Sequence, residues 1–346
     1  MAKAIALLSG GLDSTLAILL VKKQGIDVTA ITFLTHFGCD ISDSSSCSRD
    51  PFPASEKFGF RVKLCHLADK FVDIVKNPKY GHGKNMNPCI DCRILMLKEA
   101  KELMRLTGAD FVVTGEVLGQ RPMSQRKETF PLIDREAGLS GYVLRPLSAK
   151  LLKPTVPETN GLVDRERLCD ISGRTRKPQI RLAEEFGLTD YPNPAGGCLL
   201  TEPNFAWRLK ELLRFNPEPS MKELNLLRVG RHFRMGPSIK IIAGRDEAEN
   251  NRIEALCSND DILLRAEGCG SPLVLVTGEG KPSEEDIKSA ASICARYSDE
   301  KTAPKVRVSV QKNGSSFEVE AAPADEAFLE LYRVQKRPEK PKRIKA

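Results

Sequence analysis

Short apolar runs alternate with amphipathic stretches over the first part of the chain. "AIALL" (residues 4–8) is apolar and closed by Ser-Gly-Gly, the pattern of a buried strand. From Leu12 on, apolar residues recur at Leu16, Leu19 and Leu20, a helical spacing. "DVTAITFL" (27–34) is β-rich, and "FRVKLCHL" (60–67) alternates as a strand does. "CRILMLKEAKELMRLTGA" predicts a long amphipathic helix closed by Thr107-Gly108, and "DFVVTGE" a short strand after it. Strands alternating with helices predict a Rossmann-like, doubly wound parallel sheet that takes ligands at the carboxyl ends of its strands. Near Pro203 the texture changes: "SIKIIAGRD", "SPLVLVTGEG" and "PKVRVSVQKNGSSFEVE" read as strands, the last with a hairpin at "KNG". The pattern predicts an α/β domain over 1–205, a smaller α+β domain over 206–320 and a basic, disordered tail over 321–346.

Composition narrows this picture without redirecting it. The apolar and charged fractions, 41% and 29%, are those of a soluble protein, and no apolar run reaches the roughly 20 residues that span a bilayer. The apolar part of "MAKAIALL" is cut too short by Ser-Gly-Gly-Leu-Asp to read as a signal peptide. The expectation is a cytoplasmic chain with no membrane partner, in which ten cysteines are not a disulfide framework. The net charge of +7 is mild, and much of it gathers in "YRVQKRPEKPKRIKA", a solvated end or a nucleic-acid contact.

The first candidate chemistry lies in "SGGLDS" (9–14), set between the first strand and the first helix. Such a turn aims backbone N–H groups at one point, where an anion, most naturally a phosphate, binds. A Gly-Gly pair alone is often only a turn. Here Gly10 and Gly11 are flanked by the hydroxyls of Ser9, Ser14 and Thr15, and Asp13 adds a carboxylate able to steer Mg²⁺. No Walker pattern is present. Three cysteines stand in settings that make poor core: Cys89 and Cys92 in "NPCIDCR" and Cys198 in "PAGGCLL". Cys39, Cys47, Cys65, Cys169, Cys257, Cys269 and Cys294 read as structural.

"SGGLDS" resembles the PP-loop of the ATP pyrophosphatase superfamily, whose members adenylate a substrate and release pyrophosphate. "TGEVLGQ…SQ" and "LRPL…K" resemble the nucleotide-site segments of tRNA 4-thiouridine synthetase. "NPC…C" followed by a distant cysteine resembles tRNA 2-thiouridylase. The resemblance covers about residues 3–202. It implies an ATP site of Ser9, Gly10, Gly11, Asp13, Ser14, Thr15, Phe33, Gly115, Gln120, Ser124, Gln125 and Lys153, with Lys150 the lesser choice for a phosphate contact. It also implies catalytic roles for Cys89, Cys92, Cys198 and Asp13, with ATP and Mg²⁺ as cofactors. The chain departs from those enzymes in having Cys89 where the 2-thiouridylase often has Asp, and in lacking a rhodanese-like sulfur carrier. Three thiolates would hold three irons of a [4Fe–4S] cluster and leave the fourth open to sulfide. Zinc with His82 as fourth ligand, and a clusterless persulfide route, compete for the same cysteines.

The order of "IKIIAGRDEAENNRIEAL", "LLRAEGCGSPLVLV" and "AASICARYSDEK…VRVSV" resembles the NFACT RNA-binding domain over about 228–312. Arg228, Arg231, Arg234, Lys240 and Arg245 are the candidate phosphate contacts, with His232 or Phe233 to stack on a base. A dimerisation domain is the plain alternative. The expected function is ATP-dependent thiolation of a uridine in tRNA or another RNA, with sulfur from sulfide or a separate carrier protein and a homodimer left open. The alternatives are an RNA-binding adaptor that senses ATP and a PP-loop ligase that makes an amide.

Overall fold

The computed structural model describes residues 1–37, 50–192 and 198–336. Cys39 and Cys47 lie outside these. The chain divides into two units, Met1–Thr201 and Glu202–Ala346.

In the first unit five strands, β1 (Lys3–Leu7), β2 (Asp27–Leu34), β3 (Arg61–His66), β4 (Phe111–Thr114) and β5 (Val143–Leu144), pair in the order β3-β2-β1-β4-β5. All four pairings are parallel, with Leu7 opposite Ile31 on one side and Thr114 on the other. From β1 the chain winds outward through helix α1 (Leu12–Lys22) to β2 and β3, then returns through the helix Cys89–Thr107 to β4. Right-handed crossovers in opposite directions put these two helices on opposite faces. The predicted strands and the long helix are all present, and Gly108 ends that helix in the left-handed conformation (φ 64) that glycine adopts freely. One core forms where Ala4, Ala6, Val28 and Ala30 of the sheet meet Ile18 and Val21 of α1, with Phe111 and Leu144 beside them. The winding reverses between β1 and β4, and a crevice at the carboxyl ends of those two strands is the expected ligand site.

In the second unit β6 (Arg231–Arg234), β7 (Lys240–Ala243), β8 (Ile262–Ala266), β9 (Val274–Thr277), β10 (Val306–Lys312) and β11 (Ser315–Ala321) form an antiparallel sheet ordered β11-β10-β8-β9-β7-β6. The helix Glu284–Arg296 packs on one face through Ile287, Ala290, Ile293 and Cys294. The other face buries Ile242 and Leu275 under Leu226 and Ile253 of the helices Met221–Leu226 and Glu247–Leu256. The hairpin falls at Asn313-Gly314, both at positive φ, as a tight two-residue turn requires.

Two boundaries shift from expectation. The helix Pro203–Phe215 opens the second unit, so the division lies at 201/202 rather than 205. Ordered structure also continues past 320: the helix Glu326–Tyr332 buries Leu329 completely in the second core. The alternation of Phe328 and Leu329 with acidic residues is too short to separate from a polar tail by sequence. Among the described residues no helix is long and apolar enough to cross a membrane.

Candidate active site in the first unit

The loop after β1 is built as an open anion cradle. Gly10 takes φ 70, and Gly11 caps α1 with no side chain bonded to the helix amides. The first-turn N–H groups are therefore left to a ligand, and the helix dipole adds to their pull on negative charge. The hydroxyls of Ser14 and Thr15 donate to the Gly11 carbonyl at 2.9 and 3.1 Å, and the Ser9 N–H donates to Ser14 Oγ at 3.2 Å. These bonds hold the loop's curvature with no partner outside it. Asp13 accepts from Gln120 Nε2 at 2.9 Å through one oxygen, while its other oxygen, Oδ1, is buried without a partner. An orphaned buried carboxylate oxygen beside a phosphate cradle fits a divalent cation, and Asp13 is the residue that would hold it.

The segment after β4 closes the crevice from the other side. A Cβ at Gly115 would lie 2.5 Å from both the N and the Cα of Ser14, so only glycine allows this strand end to approach the loop. Gly119 N donates to the Gln125 carbonyl at 2.7 Å, folding 117–125 into a compact loop with Ser124 and Gln125 buried. Gln125 Oε1 is a second buried acceptor without a partner. Phe33 is buried at the far end of β2. Lys150 is engaged by Glu166, through its carbonyl at 2.8 Å and its carboxylate at 3.2 Å, whereas Lys153 is exposed.

One residue on, Glu116 enters a buried charge network. Its carboxylate accepts from Arg145 Nε at 3.0 Å and faces Arg93 Nε at 3.5 Å. Arg145 forks onto Asp134 with bonds of 2.8 and 2.9 Å and stacks on Phe130 with 4.0 Å between guanidinium and ring centre. Burial lifts the Asp134 carboxyl above its usual range, and Arg145 opposes that rise. Arg93 follows Cys92 directly, so the network ties the cysteine helix to β4 and to "LRPL".

Cys89 and Cys92 sit one turn apart at the start of the helix Cys89–Thr107. Its entry is fixed by Asp91, which accepts the backbone N–H groups of Lys79 and Tyr80 at 2.9 and 3.1 Å. Burial raises the Cys89 thiol, and the positive charges of Arg93 and Arg121 pull it back down. Cys198 lies in a turn that closes on itself through Thr201, whose N–H and hydroxyl donate to the Cys198 carbonyl at 2.8 and 2.6 Å. That turn is bonded to the segment just ahead of Cys89: Met86 N donates to Leu200 O at 3.1 Å and Asn85 Nδ2 to Thr201 O at 2.7 Å. The structure thus brings the distant cysteine segment beside the pair.

It does not make them a metal centre. Among the described residues no three His, Cys, Asp or Glu side chains converge as metal ligands do. Cys89, Cys92 and Cys198, the expected ligands of a [4Fe–4S] cluster, therefore do not form such a group here. His82, the expected fourth ligand for zinc, belongs to no such group either, and its Nε2 lies 2.8 Å from the Val75 carbonyl.

The second unit corrects part of the predicted RNA surface. His232 and Phe233 are 1% and 0% exposed, so neither reaches a base. Phe233 belongs to the core, and His232 Nε2 lies 2.8 Å from the Val229 carbonyl. Lys240 is also buried, Arg234 pairs with Glu211, and Arg245 pairs with Glu249. Arg231 is partly exposed over the Tyr297 ring at 4.3 Å, and Arg228 is half-buried.

Residues 1–151 match the family model for the thiamine biosynthesis protein ThiI, and residues 230–333 that for the NFACT protein RNA binding domain. A tRNA-specific 2-thiouridylase MnmA from Herpetosiphon aurantiacus is 30% identical over 234 residues, which are 61% of this chain and 59% of that protein. The MnmA of Pseudomonas fluorescens is 24% identical over 241 residues, 66% of this chain and 60% of its own length. A solved 4-thiouridine synthetase–RNA complex with bound ATP aligns at 22% identity and a TM-score of 0.31, covering 55% of this chain and 54% of that one. The chain spans about three fifths of the length of the curated relatives it matches.

The first unit is thus similar to the PP-loop proteins ThiI and MnmA, and the second to the NFACT RNA binding domain. The sequence reading did not single out Glu116, Arg93, Asp91 or Asp134; the first three lie inside the quoted motifs, and Asp134 carried no local signal.

Proposed function

We propose that the chain thiolates a uridine of RNA, most naturally tRNA, at the expense of ATP. The reading rests first on one observation: Gly115 packs on the phosphate loop while Glu116 faces Arg93 of the cysteine helix. Consecutive residues after β4 thus touch the glycine loop and the helix that carries Cys89 and Cys92, which supports a common site for nucleotide and thiols.

A uridine carbonyl oxygen is a poor leaving group. In the proposed reaction it attacks the α-phosphorus of ATP, the bond to the β-phosphate oxygen breaks, and pyrophosphate leaves. The loop amides between Gly10 and Thr15 bind that pyrophosphate and offset its developing charge. Mg²⁺ held by Asp13, when bound, would neutralise phosphate charge. A sulfur nucleophile then attacks the activated ring carbon, AMP departs with the former carbonyl oxygen, and C=O has become C=S. The sulfur comes as sulfide, or as the outer sulfur of a persulfide that a separate carrier charges onto Cys92 or Cys198. In the second case the other cysteine attacks the enzyme sulfur of the adduct, and the S–S bond breaks to release C=S. An external thiol then reduces the resulting Cys92–Cys198 disulfide. The second unit grips the RNA, as the name of its family model suggests. A cytoplasmic setting would keep these thiols reduced, and light scattering on the same preparation reads whether one chain or a homodimer does the work.

The test is RNA-stimulated pyrophosphate release, followed with thiolated nucleosides in the same RNA. Release with C=S formation, the latter lost in Cys92→Ser and Cys198→Ser, is the expected result. Release that needs no RNA would overturn the reading. ATP binding without release would leave an adaptor, and release coupled to an amine would leave a ligase.

A further inference from the structure

Outside the crevice of the first unit stands a group of cations that the proposed chemistry does not use. The segment after β4 and the segment ahead of the helix Lys177–Glu185 meet at one point. Leu118 bridges Ser172, and Gly173 N donates to the Leu118 carbonyl at 2.7 Å. Each segment leaves that contact with three cations close behind it: Arg121, Arg126 and Lys127 follow Leu118, and Arg174, Arg176 and Lys177 follow Ser172. The place adjoins the candidate site on two counts. Gln120, between Leu118 and Arg121, bonds Asp13 of the glycine loop at 2.9 Å, and the charge of Arg121 acts on the Cys89 thiol.

Five of the six cations are exposed and Arg176 is half-buried, and among the described residues none has an ion-pair partner. The acids nearby do not balance them. Glu116 is buried against Arg93 and Arg145, and Asp13 accepts from Gln120. Glu128 adjoins Lys127 and Asp170 precedes Arg174 by four residues, while Glu184 and Glu185 follow Arg181 at the far end of its helix. From 117 to 128 and from 170 to 177, six cations thus meet two acids. Arg176 and Lys177 also open a helix whose dipole disfavours cations, with no acid in its first turn. Like charges gathered in this way repel one another, and a bound polyanion relieves the repulsion.

We propose that these six residues form a track for the backbone of the substrate RNA, holding the phosphates next to the uridine that enters the crevice. A single phosphate would occupy one or two of them, whereas cations spread over two segments suit a chain of phosphates. Four of the six are arginines, whose planar forks pair with phosphate oxygens. Contacts of this kind position a strand without reading its sequence. This placement rests on RNA being the substrate, and it gives the first unit part of the grip.

Binding of a labelled, unmodified tRNA transcript to the full chain, followed by anisotropy between about 50 and 200 mM salt, tests this. Each lost phosphate contact makes the slope of log K against log salt shallower by about 0.7–0.9. Arg126→Gln with Lys127→Gln should therefore flatten it by about 1.5, and Arg174→Gln by about half as much, while titration finds ATP affinity unchanged. All three positions are exposed, so folding is not at stake, and Arg121 is left in place because its charge acts on Cys89. A wild-type slope in both variants, with RNA still bound, would overturn the track and leave RNA thiolation untouched. ATP affinity that falls in step with RNA affinity would also overturn it, since the cations would then serve the nucleotide. Failure of the wild-type chain to bind the transcript would overturn the track and RNA thiolation together.

Discussion

Gly115 and Ser14 lie so close that the gap admits no side-chain carbon: a Cβ on Gly115 would stand 2.5 Å from the Ser14 amide nitrogen. Gly115→Ala must therefore push the end of β4 away from the phosphate loop. Overpacking of this kind costs about 1–3 kcal/mol. The expected outcome is a lowered Tm together with loss of ATP binding measured by titration. A variant that kept wild-type ATP affinity would show that the close approach is not needed to shape the loop.

Arg93 acts on the thiols through its charge. It pulls the Cys89 thiol down against the rise that burial causes. Arg93→Met removes the pull, so the thiolate fraction at a given pH falls and the midpoint of the alkylation pH profile moves upward. Iodoacetamide labelling of Cys89, read site by site by mass spectrometry, should slow several-fold near neutral pH. Arg93→Lys should restore much of the rate, since the charge and not the fork is what matters to a thiol. Labelling that ignores both changes would remove Arg93 from the chemistry.

Arg145 is the keystone of the buried charges, bonded to Asp134 and Glu116 together. Arg145→Met strands the Asp134 carboxylate and leaves Glu116 with Arg93 alone. Breaking a buried pair from one side costs about 3–5 kcal/mol. Denaturant unfolding should record a loss on that scale, and Asp134→Asn added to Arg145→Met should recover part of it.

The second unit should gain stability with rising pH in two separate windows, one on either side of neutrality. Burial, with help from Lys240 and Arg208, holds the His232 imidazole well below its ordinary value, so below about pH 6.5 the unfolded chain takes up a proton that the folded one refuses. Stability falls as the pH drops through that range. Lys240, with a pKa near 8, binds fewer protons when folded than unfolded between about 8 and 10.5, so its contribution rises with pH there. Between the two windows both contributions are flat. Chemical denaturation across pH checks this, with the alkaline slope expected to vanish in Lys240→Met.

Much of the first unit was legible because its signals are local. The run before Gly10, the β-rich 27–34 and the helix after Pro88 each declare themselves within a dozen or so residues. What joins them is not local. Nothing around Glu116 announces that Arg93 and Arg145 meet on its carboxylate, because those contacts follow from strand order. The same reason explains the misjudged "RHFR". A strand read alone looks two-faced, with one side free for ligand, but here helices cover both faces, and His232 is shut in as firmly as Phe233. Arg234 looked available for phosphate until Glu211, 23 residues earlier in sequence, stood beside it.

The peptide bond between Gly115 and Glu116 works as a ruler. One end is fixed against the glycine loop by contact and the other against Arg93 of the cysteine helix by charge, so the span between loop and helix is set by a single planar unit that hardly stretches. A longer strand end would break the measure.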